Sequence, residues 1–182
     1  MPVLASDRIE LREFAQQHLD SPEYYSWLLE LENVIPIYRM EYLLHVSRDD
    51  VAAYVRGLWK SGTDRFFAVH ERPTDKFIGT QRIGHINWRS GIGDLGIMIG
   101  DRQAQGKGYG TEALALACAY AYGPLSLRRL TGGTAEGNMG MIRCFLKNNF
   151  REEGRLRKHL LINGQYEDHV LFGRLKDDSK PL

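Results

Sequence analysis

The sequence predicts an α+β fold, a single three-layer domain in which helices cover a mixed sheet of seven strands. Three observations predict it. Apolar and charged residues alternate over Arg8–Phe14, which is typical of a half-buried strand. Apolar side chains recur at helical spacing after Ser47, and Asn163-Gly164 separates two alternating segments, which indicates a β-hairpin. The predicted order is strand, two helices, three strands, helix, strand, helix and two strands.

The two N-terminal helices are indicated by their start signals. Ser21-Pro22 supplies an N-cap residue and a proline at the first helical position. Pro36 is predicted to end any continuation of this first helix. Ser47–Asp50 resembles a capping box, and Gly62 ends the helix that follows. The apolar face of this second helix is predicted to contain Val51, Tyr54, Val55, Leu58 and Trp59.

The remaining elements are bounded by turn residues. A turn over Arg72–Asp75 joins the first pair of central strands, and Gly91 and Gly93 mark the next reversal. Asn138 begins the last helix, whose inward residues include Ile142, Phe145 and Leu146. The predicted strands after the first are Phe66–His70, Lys76–Ile86, the segment around Leu95, Arg128–Ala135, Phe150–Lys158 and Gln165–Leu175.

Composition limits the function classes. The chain has 182 residues and a formal net charge of +1, so we expect no nucleic-acid partner and no attraction to anionic membranes. Its apolar runs are too short to span a bilayer and its N-terminus has no signal-peptide layout, which predicts a cytoplasmic protein. Cys118 and Cys144 fall in different predicted helices and are expected to be reduced. We expect one domain over residues 1–176 and a polar tail over 177–182.

The glycine-rich stretch Gln105–Gly110 lies between an apolar strand, Leu95–Gly100, and a helical run, Thr111–Tyr122. Such a turn presents unpaired N–H groups at the positive end of a helix dipole, which is a geometry that binds phosphate. It is not a Walker loop, because glycine follows the lysine where serine or threonine is required. The glycines at 91, 93 and 96 have dinucleotide-fingerprint spacing, but a strand follows them, so they are interpreted as a turn.

The stretch QGKGYG followed by TEA resembles the Q/R-x-x-G-x-G/A signature of the GNAT superfamily of acetyl-CoA-dependent N-acetyltransferases. Asn138–Phe150 resembles the family's later N-x-x-S…K-x-G-F segment, and the C-terminal region is similar to the branch of ribosomal-protein N-terminal acetyltransferases. The resemblance implies a mostly antiparallel sheet, acetyl-CoA as cosubstrate and an amine acceptor. The six histidines show no metal-ligand spacing, so no metal is expected.

The resemblance also implies roles for individual residues. The amide of Met98 is expected to stabilise the oxyanion. Asp94 is a candidate base because family members often have a glutamate there. Glu136, at the end of the next strand, and His85, on the neighbouring strand, are further candidates by their own positions, and a water chain to any of the three would serve. The family's serine and tyrosine are replaced by Met141 and Phe145, so no general acid is predicted. The expected cofactor-binding residues are Met98, Ile99, Gly100, Gln105, Gly106, Lys107, Gly108, Tyr109, Gly110, Asn138, Phe145 and Lys147.

The acceptor is left open between a protein N-terminal amine, such as that of a ribosomal protein, and an amino sugar attached to a nucleotide. A polyamine or antibiotic amine is a third possibility, against which the near-neutral charge argues weakly. A CoA-binding regulatory module without catalysis is the alternative function. A monomer or a homodimer is expected. The residues expected around the acceptor are Tyr24, Tyr25, Trp27, Tyr38, Arg39, Tyr42 and His45.

Overall fold

The computed structural model describes residues 4–30, 33 and 47–179. Its described residues form one eight-stranded sheet in the order β1-β2-β3-β4-β5-β6-β8-β7. All neighbouring strands are antiparallel except β5 and β6, which run parallel. The strands are β1 Leu4–Ala5, β2 Ile9–Glu13, β3 Arg65–Glu71, β4 Lys76–Asn87, β5 Ile92–Ile99, β6 Arg129–Ala135, β7 Arg151–Ile162 and β8 Gln165–Leu175.

Helices cover both faces of this sheet, so the predicted fold class is confirmed. One face carries α1 to α3 and the other carries α4 and α5. The described α-helices are α1 Gln16–Asp20, α2 Pro22–Leu29, α3 Arg48–Lys60, α4 Tyr109–Tyr122 and α5 Met139–Lys147. None of these helices combines the length and the apolar character that a bilayer crossing requires.

The sheet has one strand more than the sequence predicts, and one further helix precedes β3. The additional strand β1 has two residues and the additional helix α1 has five, which is too short for an apolar period to be recognised. The predicted end at Pro36 lies outside the described residues. The first four residues after β8, Lys176–Ser179, form one turn of 3-10 helix.

The predicted helix starts are confirmed by their caps. The Ser21 hydroxyl accepts a hydrogen bond from the N–H of Tyr24, with Pro22 at the first helical position. Ser47 and Asp50 form a reciprocal capping box at the start of α3. Each cap satisfies backbone donors that have no partner within the helix, which sets the residue at which the helix begins.

Two hydrophobic clusters lie on opposite faces of the sheet. The larger cluster packs α4 and Phe145 of α5 against the sheet, and the smaller packs Phe14, Trp27 and Val55 against the other face. Met98 of β5 belongs to the smaller cluster, whereas Ile97 and Ile99 pack on the larger one. Alternate residues of β5 therefore face the two helical layers.

Candidate active site

A gap opens in the middle of the sheet, where the parallel strands β5 and β6 separate. They pair at only three positions, of which the last joins Asp94 to Thr131. Both strands continue past that point, β5 to Ile99 and β6 to Ala135. The two unpaired strand ends leave backbone groups available to a ligand that enters between them.

Two clefts meet at this gap. The first cleft, of about 350 Å³, lies on the face covered by α2 and α3, and the second, of about 390 Å³, lies beside the start of α4 and α5. Four residues line both clefts, so the clefts adjoin each other there. The shared residues are Ile97, Met98, Asn138 and Met141.

The loop before α4 presents free amides to the second cleft. Gly106 and Gly108 have φ values of +75° and +88°, a conformation that favours glycine. Among hydrogen bonds between described residues, none uses the N–H groups of residues 106–110. We call these residues, Gly106–Gly110, the phosphate loop. Its unpaired donors at a helix N-terminus suit the diphosphate of coenzyme A.

Gln105 supports the phosphate loop with its side chain. Its Nε2 donates to the carbonyl of Ile99 at 2.9 Å and to Asn33 Oδ1 at 3.0 Å. Its own N–H is already used by the carbonyl of Arg102. The Gln105 N–H is therefore not available to a phosphate as predicted. Its side chain instead connects the loop to the end of β5.

Cationic side chains border the second cleft along one side of α5. Lys147, a predicted cofactor residue, lines this cleft, and so does Arg143 one turn earlier. Residues four apart lie on the same face of a helix, so both charges are available to a phosphate group. Lys107 is exposed and its side chain does not line the cleft. Tyr109 lines it, and its hydroxyl donates to Glu71 at 2.6 Å.

The ladder between β4 and β5 determines which β5 amides face the gap. The N–H of Gly100 donates to the carbonyl of Ile78 on β4 at 3.0 Å. Antiparallel ladders alternate, so Met98, two residues earlier in the same register, also directs its N–H towards β4. The N–H groups of Ile97 and Ile99 point into the gap instead.

This orientation corrects two expected roles. The Met98 amide is directed towards β4 and away from the gap, so it does not face a ligand in the gap as expected; Met98 lines both clefts, and its side chain is buried in the smaller cluster. Gly100 lines neither cleft, and a Cβ at this position would run into the ring of Trp27. The glycine is required there by the packing of α2.

Asn138 and Phe145 are both expected cofactor residues, but they lie in different surroundings. Asn138 Oδ1 accepts the N–H of Met141 at 3.1 Å and caps α5, while the residue also lines both clefts. Phe145 is fully buried, stacks on Phe172 and lines neither cleft. The structure therefore places Asn138 at the gap and Phe145 in the core beneath it.

Asp94 is the candidate base that lies in the first cleft at the closed end of the gap. Burial raises the pKa of its carboxyl group, and the hydrogen bond from Thr131 Oγ1 at 2.9 Å and the charges of His85 and Arg82 oppose that effect. Asp94 lies three residues from Ile97, which is about 10 Å along a strand. Its backbone is therefore well separated from the open part of the gap at Ile97.

The other two candidate bases are less well placed. His85 lines the far end of the first cleft, with Nε2 3.4 Å from an Arg82 nitrogen. Glu136 lines neither cleft; its carboxylate accepts the N–H of Asp168 at 3.1 Å and lies 3.8 Å from Arg155. This network ties β6 to the last hairpin.

The predicted acceptor residues separate into three groups. Tyr24 lines the first cleft, whereas Trp27 packs on Gly100 and Tyr25 lies against Arg48 outside the cleft. The remaining four lie outside the described residues, namely Tyr38, Arg39, Tyr42 and His45.

Several cleft residues are not evident from the sequence. Arg82 and His169 line the first cleft together with Tyr54, each from a different element. Among the cleft residues that the sequence analysis missed, only Arg143 of the second cleft could have been found from a local pattern, because it lies four residues before Lys147 on the same helix. Within the described part of the chain, no three histidine, cysteine or acidic side chains converge in a possible metal site.

Comparison with known proteins identifies the family. The profile of the acetyltransferase (GNAT) domain matches residues 8–151. Probable N-acetyltransferase YjcK of Bacillus subtilis (strain 168) is 31% identical over 140 residues, which cover 76% of this chain and 76% of that protein. The ribosomal protein uS5-alanine N-acetyltransferase of Escherichia coli (strain K12) is 28% identical over 123 residues, covering 67% of this chain and 63% of that protein.

Solved structures show the same fold. Spermidine N-acetyltransferase from Vibrio cholerae, solved in complex with CoA and spermine, has a TM-score of 0.86 at 20% identity and covers 95% of this chain and 98% of that chain. Ribosomal-protein-S5-alanine acetyltransferase from Vibrio fischeri has a TM-score of 0.76 at 22% identity over the full length of both chains. The chain therefore belongs to the GNAT acetyltransferase family and is an N-acetyltransferase that uses acetyl-CoA.

Proposed function

We propose that this enzyme acetylates the N-terminal amine of a protein chain. The observation that supports this proposal is the meeting of two clefts at the gap between β5 and β6. The second cleft, with the phosphate loop, Arg143 and Lys147, holds the donor. The first cleft is open to the other face of the sheet and admits an amine towards Ile97 and Asn138.

Acetyl-CoA supplies an acetyl group activated as a thioester. The acceptor nitrogen forms a bond to the carbonyl carbon, the carbon–sulfur bond breaks, and the amine proton passes to water. In this proposal the N–H of Ile97, which points into the gap, donates to the carbonyl oxygen as negative charge develops. One well-placed donor of this kind contributes about 3 kcal/mol of transition-state stabilisation.

Asp94 is the proposed proton acceptor, acting through water. Its distance of about 10 Å from Ile97 along β5 leaves room for a short water chain. A raised pKa makes its carboxylate a better proton acceptor than an ordinary surface aspartate. The residues at the family's acid positions, Met141 and Phe145, have no hydroxyl group, so we propose that solvent protonates the departing thiolate.

The first cleft fits a peptide terminus better than a polycation. Its charged lining residues in the described part of the chain are one guanidinium, Arg82, and one carboxylate, Asp94. Arg82 is held by Asp64, its Nε donating at 2.7 Å, so its charge is fixed at the cleft wall. A relative named as an alanine N-acetyltransferase of ribosomal protein uS5 supports the same class of acceptor.

A free-thiol release assay tests the acceptor. We expect thiol release with short peptides that begin with alanine or serine, and none with the same peptides already acetylated. A nucleotide-linked amino sugar and spermidine are the competing acceptors. Faster turnover with either competitor would overturn the peptide assignment. Release with none of these amines, while CoA binds, would mean that the acceptor belongs to another class.

A glycine pair tests the donor site. Gly108→Val should abolish CoA binding, because a branched side chain is strained at φ +88° and displaces the loop amides. Gly164→Val is the matched control, since Gly164 has φ +78° and lies in the distant hairpin turn. Unchanged CoA affinity in Gly108→Val would contradict the phosphate-loop assignment.

A further inference from the structure

We propose that Arg8 is a positioning residue that holds the phosphate loop in its binding conformation. Arg8 precedes β2 and is distant in sequence from the loop that it contacts. The inference rests on the donor site proposed above and adds to it a residue that lines neither cleft.

The contacts of Arg8 connect the start of β2 to the loop and to the first turn of α4. Its Nη1 donates to the carbonyl of Lys107 at 3.1 Å, and its Nε donates to Glu112 Oε1 at 2.6 Å. The guanidinium also lies 5.1 Å from the centre of the Tyr109 ring. Ser6 Oγ donates to the second oxygen of Glu112 at 2.8 Å, which keeps this carboxylate oriented towards Arg8.

The hydrogen bond to Lys107 determines where the next amide points. The described residues contain no cis peptide, so the Lys107 carbonyl and the Gly108 N–H point in opposite directions across a planar unit. Arg8 holds the carbonyl outside the second cleft. The N–H of Gly108, which lines that cleft and has no partner among described residues, is thereby turned towards the ligand.

Arg8 also neutralises a carboxylate beside the anion site. Glu112 lies in the first turn of α4, next to the phosphate loop. Without its partner, its negative charge would oppose the binding of a diphosphate. Loss of Arg8 therefore has two separable effects: release of the loop carbonyl and exposure of the Glu112 charge.

Direct binding of CoA, measured by calorimetry, tests the proposal. Arg8→Ala should weaken the Kd for CoA about tenfold, the effect of misorienting one charge-assisted hydrogen bond. Arg8→Lys, which keeps one donor for the carbonyl, should recover part of the affinity. Arg128→Ala is the matched control, because Arg128 is another exposed arginine whose Nε donates to a carbonyl, that of Ser90, at 2.7 Å.

Two further comparisons separate positioning from other roles. Arg8→Ala with Glu112→Gln should remain weak; full recovery would mean that Arg8 only neutralises Glu112, and would overturn the proposal. S-acetyl-pantetheine lacks the diphosphate, so its kcat/KM should be the same in Arg8→Ala and wild type. An equal loss with this fragment would indicate general damage to the fold and would also overturn it.

Measurements on the wild-type protein distinguish failure of the proposed diphosphate site from failure of the proposed role of Arg8. If wild type binds CoA no better than pantetheine, the proposed diphosphate site fails. If wild type prefers CoA strongly and Arg8→Ala binds it equally well, only the role of Arg8 fails. Thermal unfolding of each variant verifies that it is folded in the binding experiment.

Discussion

Acidification from pH 7.5 to pH 5 should destabilise the fold through a buried pair of histidines. His18 and His70 are 4% and 6% exposed, and their Nε2 atoms lie 3.1 Å apart. The N–H of Ala15 donates to His18 Nδ1 at 2.9 Å, so the His18 proton is on Nε2 and is donated to His70. His70 Nδ1 in turn donates to the Asp75 carbonyl at 3.0 Å. A further proton on His18 Nδ1 would face the N–H of Ala15, which is itself a donor.

The magnitude follows from the pKa of His18. Burial, followed by the charges of His70 and Arg12, lowers this pKa from 6.5 to about 4. The unfolded chain therefore takes up the proton first, so the stability is fully present above pH 6.5 and is lost as the pH falls towards 4. At pH 5 the loss is about 2 kcal/mol, from 1.5 pH units at about 1.4 kcal/mol each.

The neighbouring groups act on His70 in both directions. Burial is the largest effect on its pKa and lowers it, and Arg12 adds to this, whereas Asp75 and Glu10 raise it. Urea unfolding at pH 7.5 and pH 5 measures the combined effect. His18→Phe, a side chain that suits the surrounding aromatic cluster, removes the His18 contribution.

We expect the stability lost between the two pH values to be smaller in His18→Phe than in wild type by about 2 kcal/mol. His159→Gln, at an exposed position, is the control and should retain the wild-type pH dependence. If His18→Phe loses as much stability on acidification as wild type, the buried pair is not the cause.

Three further outcomes test the gap and its surroundings. Gly132→Ala should lower the free energy of unfolding, measured in urea, by about 1–3 kcal/mol, because the new Cβ would lie 2.5 Å from Phe145 Cζ. Unchanged stability would contradict the packing described. Asn138→Ala should lower the free energy of unfolding by about 1 kcal/mol, because it removes the α5 cap. Asn138→Asp should keep the cap, and it should weaken CoA binding if the side-chain amide contacts the cofactor. A thiol reagent at pH 8 should not modify Cys118, because burial raises the pKa of its thiol to about 11. The reagent should modify Cys144, which lines the second cleft, and bound CoA should protect it. Equal labelling of both cysteines would refute this.

Much of the site could be predicted because its signals are local. The phosphate loop depends on glycines that adopt positive φ and on the helix that follows them, and both are properties of adjacent residues. The cap at Asn138 is local in the same way. The resemblance added the order of the segments, from which the proposed donor site lies at the end of β5.

The sequence was least informative where strand pairing decides which groups face the gap. Met98 and Ile97 are equally apolar neighbours, and only the ladder with β4 shows which amide faces the gap. Glu136 and Asp94 are both acidic residues near strand ends, but one is bound in a surface network and the other lines the first cleft.

The sequence alone determined the order of the elements, their caps and the glycine loop, because these depend on interactions between residues a few positions apart. The tertiary structure decided which distant residues meet: Arg8 with Lys107, Asp94 with Thr131, and the two clefts at one gap. These contacts depend on strand register and on the separation of β5 from β6, which no local pattern of side chains specifies.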